Sequence, residues 1–77
     1  MFQMIKEISQ VLVFKTNIGI NDKERVLDYL RAQNFIRDVS IDTEDCDCVL
    51  RVVGEELQND VIINLVKSQG FHCEELN

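Results

Sequence analysis

The chain has no proline and only three glycines in 77 residues. That leaves no flexible linker and no low-complexity segment. Basic residues are also scarce, with 8 Lys and Arg against 14 Asp and Glu and a net charge of −6. Nucleic-acid binders need Lys and Arg to displace phosphate counterions, and no basic cluster exists here, so nucleic acid is excluded as a partner. The same deficit argues against anionic membrane surfaces. No apolar run approaches the roughly 20 residues of a membrane span. The apolar stretch before Lys6 and Glu7 is shorter than the roughly 7–15 residues of a signal-peptide core. The expectation is a cytoplasmic protein.

Cysteine is present but odd in number. Cys46, Cys48 and Cys73 cannot form a closed disulfide framework within one chain, and reduced thiols fit a cytoplasm. Histidine occurs once, at His72. No nucleophile has a base near it in sequence and no Gly-rich phosphate loop is present, so the chain reads as a non-enzyme without a catalytic residue.

What remains is an ordinary globular balance of 45% hydrophobic and 29% charged residues. A chain of this length buries only about 60% of its unfolded surface, which favours one thin domain of two layers spanning residues 1–77. Its core is expected over 11–76, with 1–10 as an extension or the start of the first strand.

Residues 11–17, rich in β-branched and aromatic side chains, predict a first strand. Asn21 with Glu24 predicts a capping box, and Val26, Leu27 and Leu30 give a helical stripe with Tyr29 and Ala32 beside it. The first helix is expected over 22–33, ended by Asn34 in a left-handed conformation. Ile36, Val39 and Ile41 lead through an acidic turn into a strand with Cys48, Leu50 and Val52 on one face. Leu57, Ile62, Leu65 and Val66 form a second helical stripe, Leu57 stapling on Ile62 behind a cap at Gln58 or Asn59. Gly70 suits a helix C-terminus, and residues 71–76 predict a short last strand.

This order, with right-handed crossovers, predicts an α+β ferredoxin-like βαββαβ sandwich: a four-stranded antiparallel sheet in the order 4-1-3-2 with both helices on one face. The loop at 17–22, the turn at 42–46 and the corner at 69–72 then share one end. Function is expected there first.

The stretch Ile36-Arg37-Asp38-Val39-Ser40-Ile41-Asp42 resembles the Val-x-x-Val-x-Val-Asp second strand of heavy-metal-associated domains of the copper-chaperone kind. The acidic turn, the Cys48/Leu50/Val52 strand and the Gly70-Phe71 corner fall at that family's spacings, and the likeness covers residues 11–76. The resemblance implies the βαββαβ scaffold and capture of Cu or Zn by Met-x-Cys-x-x-Cys in the first loop. Here that loop is Asn17-Ile18-Gly19-Ile20-Asn21-Asp22, and residues 16–45 contain no cysteine. The chain resembles a degenerate member in this respect, and no resident cofactor is expected.

Cys46 and Cys48 are the tentative soft-metal ligands that remain. In an extended strand alternate residues lie ~6.6 Å apart, too far for one ion with ~2.3 Å bonds to sulfur, unless a dimer brings two pairs together. Cys48 reads instead as a small core hydrophobe, and Cys73 stands a strand away. His72 and Cys73 would point to opposite faces, which makes His72 a surface residue. The carboxylates of Asp42, Glu44, Asp45 and Asp47 read as a solvated turn, since the segment lacks the glycine-containing spacing of an EF-hand loop; weak Ca²⁺ or Mg²⁺ binding is the lesser alternative.

The leading expectation is a small non-enzymatic binding or regulatory module for a protein partner. Its contacts would be Asn17, Ile18, Asn21 and Asp22 in the first loop, with Asp42, Glu44, Asp45 and Asp47 in the acidic turn. Two alternatives are soft-metal binding through a non-standard Cys site, and an ACT-like small-ligand sensor working as a homodimer. The sheet face carrying Val11, Val13 and Val49 reads as ordinary surface, with pairing to another chain as the alternative.

Overall fold

The computed structural model describes residues 9–76. Six elements follow in chain order: β1 (Gln10–Thr16), α1 (Lys23–Arg31), β2 (Ile36–Asp42), β3 (Val49–Gly54), α2 (Asn59–Ser68) and β4 (Cys73–Glu75). The strands make one antiparallel sheet in the order β2-β3-β1-β4, which read from the other edge is the expected 4-1-3-2. Residues 1–8, where an extension was expected, lie outside the described residues; Gln10 already belongs to β1. No helix among the described residues is long and apolar enough to cross a membrane.

Alternation along the strands sorts the two faces. Phe14 and Thr16 of β1, Val39 and Ile41 of β2, Leu50 and Val52 of β3 and Cys73 of β4 are all buried. The pairings Phe14–Leu50, Leu12–Val52, Val39–Val52, Ile41–Leu50 and Thr16–Cys73 align them on one face. Val26, Leu27 and Leu30 of α1 and Ile62 and Val66 of α2 join the same cluster. The opposite face has no such cover: Val11 is 53% exposed, Lys15 and Arg51 are exposed, and Val13, Val49 and Val53 are half-buried.

The edge strands are protected against further pairing. In β2 the register shifts between Ile36 and Asp38, and Asp38 Oδ1 accepts the Val39 N–H at 2.9 Å. A bulge and an occupied amide both disfavour addition of another strand there. β4 is only three residues long and carries Glu74 and Glu75.

Local signals fared unevenly. Gly70, at φ 94°, donates its N–H to the Lys67 carbonyl at 2.9 Å and ends α2 as expected. Leu57 and Ile62 are both in the core, but Gln58, the N-cap, makes no side-chain capping bond. The Asn21–Glu24 box does not form. The Asp22 N–H closes a turn on the Gly19 carbonyl at 3.1 Å, so α1 starts behind Asp22, whose carboxylate faces Arg25 at 3.4 Å. Asn34 is not left-handed: among the described non-glycine residues only Cys48 (φ 43°) and Glu56 (φ 55°) have positive φ. The end of α1 is held instead by the Gln33 side chain, whose Nε2 donates to the Tyr29 carbonyl at 3.1 Å.

Candidate functional site

The three connections expected to share an end are tied to one another by hydrogen bonds. Thr16, at the end of β1, stands at the junction. Its N–H donates to the Asp47 carbonyl at 3.0 Å and its Oγ1 donates to the Cys48 carbonyl at 2.7 Å. The same Oγ1 accepts the Ile18 N–H at 3.2 Å. A buried hydroxyl with donor and acceptor roles both filled therefore fastens the acidic turn to the first loop. On the other side, Asn17 Oδ1 accepts the His72 N–H at 2.8 Å, joining the first loop to the corner before β4. Arg25 adds a second tie, with Nη1 at 3.3 Å from Gln69 Oε1 and its guanidinium 5.6 Å from the centre of the Phe71 ring.

That first loop differs from expectation at one named contact. Ile18 is 0% exposed and belongs to the core. The local bond from Ile18 N–H back to Thr16 Oγ1 turns the chain inward just past the strand. Ile20 is the apolar residue the loop presents, at 73% exposure. Asn17 and Asn21 are exposed and Asp22 half-buried.

The acidic turn is longer than the sequence implied. Asp42 Oδ1 accepts the Glu44 N–H at 3.1 Å, Asp45 Oδ1 accepts the Asp47 N–H at 2.8 Å, and the Cys48 N–H reaches the Asp45 carbonyl at 2.9 Å. Aspartates that bond to backbone two residues on favour turns over strands. The turn consequently continues to Cys48, and β3 starts at Val49. Cys48 is thus not the inward strand residue expected of it; it is half-buried in a left-handed conformation. The ~6.6 Å strand spacing invoked against a Cys46–Cys48 pair does not apply to this geometry either.

Asp42, Glu44, Asp45 and Cys46 are exposed, and Asp47 is half-buried with its Oδ1 3.7 Å from Lys15 Nζ. Ligand atoms of Asp45, Cys46 and Asp47 all lie within 4.8 Å of one another. Cys48 does not belong to that group. Cys73 is separated from the turn as expected, since it pairs with Thr16 across β1.

A second feature of this end was not anticipated. An open cleft of about 420 Å³ runs between β1, β4 and the end of α2, lined among others by Lys15, Asn17, Lys67, His72 and Glu74, with Cys73 at its side. Burial pushes the Cys73 thiol from 9.0 up to about 11, the effect of nearby Lys67 being opposed and smaller and Glu74 adding to the rise. The thiol is neutral at ordinary pH and poorly nucleophilic. Lys67 and His72 flank the Gly70 corner, five residues apart, and the register of β4 on β1 brings Lys15 to them.

Comparison with protein-family models, with curated proteins and with solved structures gives no match.

Proposed function

We propose that this chain is a small non-enzymatic binding module, a ferredoxin-like βαββαβ scaffold of the heavy-metal-associated kind, that engages a basic protein segment through its acidic turn. The observation carrying this reading is the turn itself. It presents Asp42, Glu44 and Asp45 exposed, while their backbone is fixed by bonds within the turn and by Thr16 beneath it. A charged surface held rigid before binding loses little conformational entropy on complex formation, and its field speeds encounter with cations. The protonated Cys73 thiol fits binding better than nucleophilic catalysis.

The test is an NMR titration of isotope-labelled protein with a Lys- and Arg-rich peptide at two salt concentrations. Changes centred on residues 42–47, weakened by salt and lost in an Asp42→Asn/Glu44→Gln/Asp45→Asn variant, are expected. The amide replacements keep the acceptor oxygens that hold the turn. Equal binding by that variant would refute the reading.

A second reading is supported by the 4.8 Å grouping of Asp45, Cys46 and Asp47: capture of a Cu or Zn ion, with Cys46 as the thiolate. Titration of wild type and Cys46→Ser with Zn²⁺ and Cu(I) decides it, because indistinguishable isotherms remove the thiolate from any site.

A further inference from the structure

The cleft between β1, β4 and the end of α2 adjoins the acidic turn at Lys15 and Thr16 but has the opposite character. The chain as a whole carries 14 acidic residues against 8 Lys and Arg. Yet the cleft holds two of the four lysines, Lys15 and Lys67, together with the only histidine, His72, against the single carboxylate of Glu74.

The donors outnumber the acceptors as well. Asn17 Oδ1 is already occupied by the His72 backbone N–H, and the Asn17 Nδ2 group, with no hydrogen bond among the described residues, can donate. Thr16 Oγ1 is fully engaged with Cys48 and Ile18. Lys67 makes no ion pair among the described residues. Lys15 stands opposite Glu74 on β4 and faces Asp47 at 3.7 Å, the Lys15 side chain about half exposed and that of Asp47 less so, a pairing weak enough for a ligand to displace. The Cys73 wall is a neutral thiol and adds no negative charge.

We infer that this cleft is a binding site for a compact oxyanion, a phosphate or carboxylate group on a small free molecule, held by Lys67, Lys15, His72 and the Asn17 side-chain amide. Its volume lies within the range of small-molecule pockets, roughly 300–1,000 Å³. The net charge of −6 opposes extended polyanions such as nucleic acid or an anionic bilayer, whose binding requires a broad basic surface. A small anion meets only the local field of the cleft. The inference is independent of the acidic-turn reading, and the two fail on different residues.

The experiment is a titration of the labelled 77-residue protein with inorganic phosphate and, separately, acetate, at ionic strength held constant with sodium chloride. Saturable amide and side-chain shifts confined to Lys15, Thr16, Asn17, Lys67, His72, Cys73 and Glu74 are expected with at least one of the two. Lys67→Gln should weaken the affinity about tenfold, the effect of losing one charge-assisted bond. Glu74→Gln, which removes the one carboxylate lining the cleft, should strengthen it. Lys67 and Glu74 are exposed, so both variants keep the core, and unchanged chemical shifts elsewhere confirm the fold. Identical shifts from sodium chloride alone, or an unaltered affinity in Lys67→Gln, would overturn the inference. Binding to phosphatidylglycerol vesicles without a response to free phosphate or acetate would overturn it too, by assigning the anion to a membrane.

Discussion

Gly54 is the last residue of β3, the strand between β1 and β2, and pairs with Gln10 on one side and Ile36 on the other. A Cβ placed on it would run into the backbone carbonyl oxygen of Phe35 and approach Leu57 Cδ2 to 2.9 Å. The leucine can swing away; the carbonyl belongs to the main chain entering β2 and cannot. Gly54→Ala must therefore shift backbone in two strand pairings at once, and overpacking of this kind costs about 1–3 kcal/mol. The upper end applies because the obstacle is backbone. Removing a glycine from the unfolded chain returns about 0.4–1 kcal/mol, which leaves a net loss of about 2 kcal/mol. For a domain of this size each kcal/mol moves Tm by about 4–8 °C, so a drop of about 8–16 °C is expected. Gly19 is the internal control: its Cβ would meet nothing within 4 Å and its φ is not left-handed, so Gly19→Ala should melt at or slightly above the wild-type temperature. Thermal unfolding followed by far-ultraviolet circular dichroism measures both. A Gly54→Ala midpoint within about 2 °C of wild type would show that the Phe35 carbonyl yields, contrary to the packing described. A Gly54→Ala/Leu57→Ala double variant as stable as Leu57→Ala alone would assign the clash to the side chain instead.

Three further outcomes follow from the same structure. Thr16→Val removes the hydroxyl that serves Cys48 and Ile18 and should destabilise by about 1–3 kcal/mol in urea unfolding, with amide exchange quickened at Ile18; a neutral result would remove Thr16 as the junction. The Cys73 proton is held more tightly in the folded protein, up to about 11 against 9.0 when unfolded. Its contribution is therefore complete below pH 9 and is lost as pH climbs towards 11. Wild type should lose on the order of 2–3 kcal/mol relative to Cys73→Ala across that window, and a constant difference between the two would contradict the burial. Thiol labelling of native protein should proceed in the order Cys46, Cys48, Cys73, following their exposed, half-buried and buried positions; early modification of Cys73 in folded protein would refute that placement.

The hydrophobic periodicity of this chain was sufficient to determine its α+β class, the order of its six elements and most of its core. Period-2 alternation at Leu50 and Val52 and the stripe of Val26, Leu27 and Leu30 each encode which side must be dry, and burying those sides together leaves few arrangements of two helices and four strands. The Gly70 C-cap was legible for the same local reason, since an L side chain is strained at its φ. The acidic turn was legible as a turn, but its length was not. Asp42 and Asp45 bond to nearby backbone, and those bonds outcompeted the strand pattern that Cys48 seemed to continue.

Tertiary structure decided the rest. Ile18 lies in a loop whose composition points to solvent, and only the Thr16 hydroxyl turns it into the core. The cleft joins Lys15, Lys67 and His72, residues from a strand, a helix end and a corner. Lys67 and His72 are neighbours across the Gly70 corner, but no spacing in the sequence relates Lys15 to either. Its proximity comes from the pairing of Thr16 with Cys73 across β1 and β4, a long-range register fixed by the shared core and not by any local preference.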